Sequence, residues 1–140
     1  MVSGLLSAIA GHLRLSTFMS QHLRILLVED NQLLRWWMTL CLSREGFLVV
    51  APPSVEEAFC LGSSNPFDVL VSDWRLPNGH DGLEVLAAVK QASPQIAAIL
   101  ISAEADQDLT KRALDAGFDC VMQKPVGSSD IVDAIHACAA

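Results

Sequence analysis

The sequence predicts an α/β fold: a doubly wound parallel sheet of five strands alternating with five helices. Three observations carry this expectation. From Leu23 onward, short aliphatic runs alternate with stretches of helical spacing, the pattern of right-handed βαβ units whose sheet is covered on both faces. The polar residues capable of chemistry fall at the C-terminal ends of those runs, where a doubly wound sheet gathers its site. The length, 140 residues, fits one domain and encloses a proper core.

Residues 24–28 read as the first strand, and the spacing predicts a helix over 32–44, stopped by Gly46. Leu34, Trp37, Met38 and Cys41 give that helix its core stripe, at i, i+3, i+4 and i+7. The second strand is expected at 48–51, followed by a helix with Ser54 as N-cap and Glu57 completing a capping box. A strand at 69–72 leads to a helix over 82–91 that ends before Pro94. A strand at 98–102 precedes a helix over 106–116, closed by Gly117 as C-cap. The last strand is 120–122, and Ser128 or Ser129 opens a final helix with Ile131, Val132 and Ile135 facing inward. The strands are almost continuously apolar, as burial on both faces requires.

The residues at the strand ends are the candidate site. Glu29 and Asp30 follow the first strand, Asp73 the third, Ser102 the fourth, and Lys124, next to Pro125, the fifth. Three carboxylates on one rim repel one another, and a hard cation with oxygen ligands relieves this. Mg²⁺ suits the role because it accepts a few carboxylates, keeps several waters and leaves room for phosphate oxygens. Lys124 adds a positive charge and Ser102 a hydroxyl donor. The set describes a phosphoryl-transfer site with Asp73 as the nucleophile, forming an acyl phosphate. Singly, each residue has an ordinary explanation: a turn, a cap, a loop or a solvated strand end. Their joint placement at the strand ends does not.

Composition narrows the function classes. A hydrophobic content of 51% with 18% charged residues is that of an ordinary globular protein. The net charge of -7 argues against nucleic acid, which is held by excess Lys and Arg. The few basic residues give no membrane-surface patch. Cys41, Cys60, Cys120 and Cys138 form no CxxC pair, so neither a zinc site nor a thioredoxin-like motif is indicated. They are read as small, reduced core residues, which implies a reducing compartment and a cytoplasmic protein.

The runs RILLVEDN, VLVSDWRLPNGHDGLEVL, ILISA and CVMQKP resemble those of the response-regulator receiver domain of two-component signalling, the CheY-like domain. The resemblance covers Leu23 to about Ala139. It implies the flavodoxin-like strand order 2-1-3-4-5 and a domain that is not itself an enzyme. Asp73 then corresponds to the phosphoacceptor, charged from a phosphohistidine, and Asp30 to the direct Mg²⁺ ligand. Glu29 corresponds to the second acid, acting through a metal-bound water, and the Arg75 backbone carbonyl to the third protein ligand. Ser102 and Lys124 correspond to the residues that hold the phosphoryl oxygens. The implied partner is a histidine kinase or a histidine-containing phosphotransfer protein. The chain is either a stand-alone regulator or a fragment of a hybrid kinase.

Several features depart from the family's common pattern. The loop 76–82 is one residue longer, with the turn dipeptide Asn78-Gly79 as its insertion point, a variant similar to receivers of hybrid kinases. His80 within it is read as an exposed turn residue. Val121 occupies the position of the family's switch aromatic, and valine has neither the size nor the reach for that movement. Trp36, with Leu33 and Leu40, forms a second stripe on the first helix: either ordinary surface apolar residues or a docking patch. Arg75 and Glu104, at two positions that vary within the family, have opposite charges and are long enough to meet across the pocket mouth as a partial lid, the alternative being two independently solvated side chains.

Two other classes share part of this pattern. A haloacid-dehalogenase-type enzyme needs a second Asp two residues after the nucleophile, where this chain has Arg75. A phosphorylation-independent interaction module would have lost site residues, all of which are present here. Residues 1–22 are an N-terminal extension to a domain at 23–140. The apolar stretch 2–10 is too short to span a membrane and lacks the basic start of a signal peptide. Met19 precedes the first strand, so residues 1–18 are read as arising from an upstream start codon, the alternative being a short docking helix.

Overall fold

The computed structural model describes residues 23–139; the N-terminal extension, with the readings placed on it, and Ala140 lie outside the described residues. Five strands, β1 (Arg24–Val28), β2 (Leu48–Val50), β3 (Val69–Asp73), β4 (Ala97–Ser102) and β5 (Cys120–Gln123), form one sheet in the order β2-β1-β3-β4-β5. All four pairings are parallel. The helices are α1 (Gln32–Arg44), α2 (Val55–Ser64), α3 (Gly82–Val89), α4 (Gln107–Ala116) and α5 (Ser128–Cys138). The predicted fold class and strand order are those observed.

Alternation along the strands divides the core into two layers. Leu26, Leu70, Ala98 and Leu100 point to one face, where Val55 and Ala58 of α2, Val85, Leu86 and Val89 of α3, and Leu109 and Ala113 of α4 cover them. Ile25, Leu27, Val69, Val71, Ile99 and Ile101 point to the other, against Met38 and Leu42 of α1 and Ile131 and Ile135 of α5. The central strand β3 is buried throughout.

Register places the strand ends together. Val28 pairs with Ser72, Asp73 with Ile101, and Ser102 with Gln123. The residues just beyond β1 and β5 therefore share a rim with the last residue of β3. Capping fixes where the helices begin. Asn31 Oδ1 accepts the Leu34 N–H at 2.9 Å and Ser54 Oγ the Glu57 N–H at 3.2 Å. Asp81 Oδ1 accepts the Glu84 N–H at 3.0 Å and Asp106 Oδ1 the Leu109 N–H at 2.8 Å. Each satisfies a backbone donor that the first helical turn leaves free. Gly117 ends α4 in the left-handed region, at φ 114°, as its place after the helix predicted.

Some expectations need correction. Asp106 caps α4 rather than opening it, and α3 stops at Val89, with Lys90 as its C-cap. The fully buried residues of α1 are Met38 and Leu42; Leu34, Trp37 and Cys41 are half-buried at the margin of the contact. Val132 is half-buried and packs against the same core layer, as expected of an inward-facing position. None of the four free cysteines is fully buried, and Cys60 is exposed, because α2 turns Val55, Ala58 and Gly62 inward instead. Among the described residues, no helix is long and apolar enough to cross a membrane.

Close packing ties α3 to the rim. A Cβ on Gly82 would lie 2.7 Å from the Asp73 carbonyl oxygen and 2.7 Å from Leu100 Cδ1. Only glycine lets the helix start this near the end of β3.

Candidate functional site

Four strand ends and the loops that follow them build one pocket. Glu29 is buried at 4% exposure and Asp73 at 9%, while Asp30 is exposed. One carboxylate oxygen of each lies within 4.8 Å of those of the other two. Lys124, from the end of β5, reaches between them. Its Nζ donates to Glu29 Oε2 at 3.0 Å, to Glu29 Oε1 at 3.2 Å and to Asp73 Oδ2 at 2.9 Å. The other oxygen of Asp73, Oδ1, accepts the Trp74 backbone N–H at 2.9 Å.

The electrostatics follow from this crowding. Burial, then the neighbouring Asp73 charge, pushes the Glu29 carboxyl up to about 7, against the opposing pull of Lys124. Burial works to lower the Lys124 ammonium, but hydrogen bonds to Asp73 and Glu29 outweigh it and hold the group above its ordinary value. One ammonium does not balance three carboxylates. A hard divalent cation would, and an all-oxygen donor set with an exposed member suits Mg²⁺.

Ser102 is buried at 3% exposure, and its Oγ accepts the Glu104 N–H at 3.0 Å. Its own hydroxyl hydrogen is not used by that bond. Its backbone carbonyl accepts the Lys124 N–H at 2.8 Å, linking the two strand ends that carry Ser102 and Lys124. Arg75 and Asp81 form an isolated antiparallel bridge across the β3–α3 loop. Arg75 Nη2 meets Glu104 Oε2 at 2.8 Å, with both side chains well exposed; such a pair contributes roughly 0–1 kcal/mol of stability.

The structure adds residues that sequence reading passed over. Arg35, on α1, donates from Nη1 to the Glu29 carbonyl at 3.0 Å and the Asp30 carbonyl at 3.5 Å, bracing the turn that presents both acids. A lone arginine on a half-exposed helix gives no sequence signal of this. Arg112 of α4 sits over the Trp74 ring, 5.2 Å from its centroid. His80, read as an exposed turn residue, is instead half-buried between Phe59 and Glu84. Val121, like Trp74, is half-buried and packs against the core layer on the α2–α4 face. Trp36 and Leu33 are exposed at 63% and 74%. Elsewhere on α1, a groove of about 480 Å³ beside Lys124 is lined by Leu34, Trp37 and Met38 on one side and Pro125 and Val126 on the other.

Comparison with known proteins identifies the family of the fold. Residues 25–136 match the family described as the response regulator receiver domain, and the chain belongs to that family. Over 115 residues it is 30% identical to the transcriptional regulatory protein HprR of Escherichia coli (strain K12), covering 82% of this chain and 51% of that protein. The chain thus spans about half the length of this curated relative. Among solved structures, the CheY-like receiver domain protein of Methanospirillum hungatei superposes with a TM-score of 0.77 at 25% identity, over 84% of this chain and 93% of that one. The receiver domain of the sensor histidine kinase PA1611 of Pseudomonas aeruginosa, solved with a magnesium ion in its active-site cleft, gives a TM-score of 0.73 at 23% identity, over 84% and 97%.

The raised Glu29 carboxyl has a consequence for stability. The folded state holds its proton more tightly than the unfolded chain does. The stability it contributes is fully present below about 4.5 and is lost as pH rises through about 7. In metal-free buffer, the melting temperature of wild type relative to Glu29→Gln should fall across that window. A difference that does not change with pH would contradict the assignment.

Proposed function

We propose that this receiver domain takes a phosphoryl group from a phosphohistidine onto Asp73, with Mg²⁺ held by Glu29, Asp30, Asp73 and the Arg75 carbonyl. The observation that carries the reading is the position of Lys124 Nζ, 2.9 Å from Asp73 Oδ2 and 3.0 Å from Glu29 Oε2. A buried carboxylate held by a lysine, with further acids beside it, has the neighbours an aspartyl nucleophile requires.

Each residue has a separable task. Asp73 attacks phosphorus: a P–O bond to its carboxylate forms as the P–N bond to the donor imidazole breaks, and the imidazole keeps the electron pair. The Trp74 N–H and Lys124 hold the two oxygens of Asp73 in place, so little rearrangement is needed to begin. When bound, Mg²⁺ neutralises charge on the phosphoryl oxygens. Lys124, released from part of its contact with the acids, and the Ser102 hydroxyl are the donors for those oxygens.

The partner is read as a histidine kinase or a histidine-containing phosphotransfer protein, docking beside α1. Exposed Trp36 and Leu33 and the apolar groove next to Lys124 support this, since a helix carrying the phosphohistidine must approach the rim from a side that accepts apolar contacts. The net charge of -7 supports a domain that does not itself hold nucleic acid, and the free thiols support a cytoplasmic setting. The domain itself is taken to begin at Leu23, and whether it stands alone or within a hybrid kinase leaves these residue roles unchanged.

Two experiments test the reading. Incubated with Mg²⁺ and acetyl phosphate, wild type should gain one phosphoryl group by intact mass, labile to hydroxylamine, and Asp73→Asn should gain none. Labelling of the variant at a comparable rate would show that the acceptor lies elsewhere. For docking, Trp36→Ala should slow transfer from a phosphorylated histidine partner by about 10-fold or more, an interface aromatic being worth ~2 kcal/mol. Acetyl phosphate labelling should be unaffected, and equal losses with both donors would remove the case for a docking surface.

A further inference from the structure

We propose that His80 is a positioning residue for the metal-binding loop, holding the turn that aims the Arg75 carbonyl at the acidic cluster. This rests on the reading of that carbonyl as a Mg²⁺ ligand. A backbone ligand has no side-chain torsion with which to find its ion. It goes only where its loop is held.

Hydrogen bonds define how this loop is held. Arg75 faces Asp81 in an antiparallel bridge, framed by Gly82 N–H to the Trp74 carbonyl at 2.8 Å and Leu76 N–H to the His80 carbonyl at 3.0 Å. Both bonds belong to flanking residues, so Arg75's own N–H and C=O face away from Asp81. That orientation leaves the carbonyl available outside the loop. It persists only while the bridge stays closed, and one of the two bonds closing it ends on His80.

The tip of the loop offers little support of its own. Pro77, Asn78 and Gly79 are all exposed. Asn78 at φ 62° and Gly79 at φ 76° turn the chain through two successive left-handed residues, and the turn closes with His80 N–H to the Pro77 carbonyl at 3.3 Å. Anchorage comes from the helices. The His80 ring meets Phe59 of α2 edge-on, centroids 5.1 Å apart at 74°, and Phe59 packs against the core. His80 Nδ1 lies 2.8 Å from Glu84 Oε2 of α3, and since a carboxylate only accepts, that nitrogen carries the hydrogen. Asn78 Nδ2 adds a longer bond of 3.3 Å to Glu56 Oε1 of α2. The His80 side chain thus touches both helices, across from Leu76, which is buried in the core layer those helices cover.

The test is Mg²⁺ affinity of the full chain by calorimetry, together with acetyl phosphate labelling at limiting and saturating Mg²⁺. His80→Ala should weaken Mg²⁺ binding about 3- to 10-fold, at or below the loss usual for groups that orient a metal ligand. Labelling should fall at limiting Mg²⁺ and recover at saturation, because the chemistry at Asp73 is untouched. His80→Asn, which keeps a donor for Glu84 but lacks the ring, should fall between wild type and His80→Ala. If His80→Ala lowers the melting temperature of the metal-free protein but leaves Mg²⁺ affinity within twofold of wild type, the residue is structural only and the proposal fails. A wild type that binds no Mg²⁺ overturns it as well. A wild type that binds Mg²⁺ but is never labelled would instead refute the phosphoacceptor reading, and the affinity comparison would still decide the role of His80.

Discussion

Three carboxylates whose oxygens come within 4.8 Å of one another, two of them on buried residues, set the electrostatic problem the rim must solve. Two like charges at ~4 Å in surroundings of effective dielectric about 20 repel by about 4 kcal/mol. The fold answers with one ammonium, from Lys124, placed against the two buried acids and away from the exposed one. Burial, with the neighbouring Asp73 charge, holds the Glu29 carboxyl up to about 7 despite that ammonium. A site built this way is poised for added positive charge, and the features around it can be understood as keeping the acids close.

Those features belong to different parts of the chain and act on one edge. Strand register brings residues that lie 95 positions apart, Glu29 and Lys124, into direct contact. Arg35 clamps the backbone of the turn that carries Glu29 and Asp30. Gly82 lets α3 begin almost on top of Asp73. His80 fastens the neighbouring loop to α2 and α3. The two apolar layers supply the stiffness that makes such positioning possible, since a close-packed core transmits displacement rather than absorbing it.

Much of this was legible in the sequence because parallel strands advertise themselves. Each run of buried aliphatic residues could be located to within about a residue, and the acids, the serine and the lysine stood at the ends where such sheets place chemistry. Ser54 and Gly117 were readable because capping depends on local spacing alone. What escaped depends on contacts between distant segments. Leu42, not Cys41, completes the buried face of α1, because the angle at which a helix meets its sheet selects among neighbouring apolar positions. His80 looked like a loop-tip residue until Phe59, 21 positions earlier, supplied a surface for its ring. Arg35 and Arg112 gave no local sign that one would brace backbone carbonyls and the other cover Trp74.

The central claim is that the acidic cluster is a divalent-cation site. Calorimetric titration of the metal-free protein with Mg²⁺, for wild type and Asp30→Asn, tests it most directly. Asp30 is exposed, so its replacement leaves the core intact. The account predicts one Mg²⁺ bound per wild-type chain and a loss of about 10-fold or more in affinity for Asp30→Asn, as expected when a ligand to the metal is removed. Absence of Mg²⁺ binding by wild type, or equal affinity in the two proteins, would contradict it.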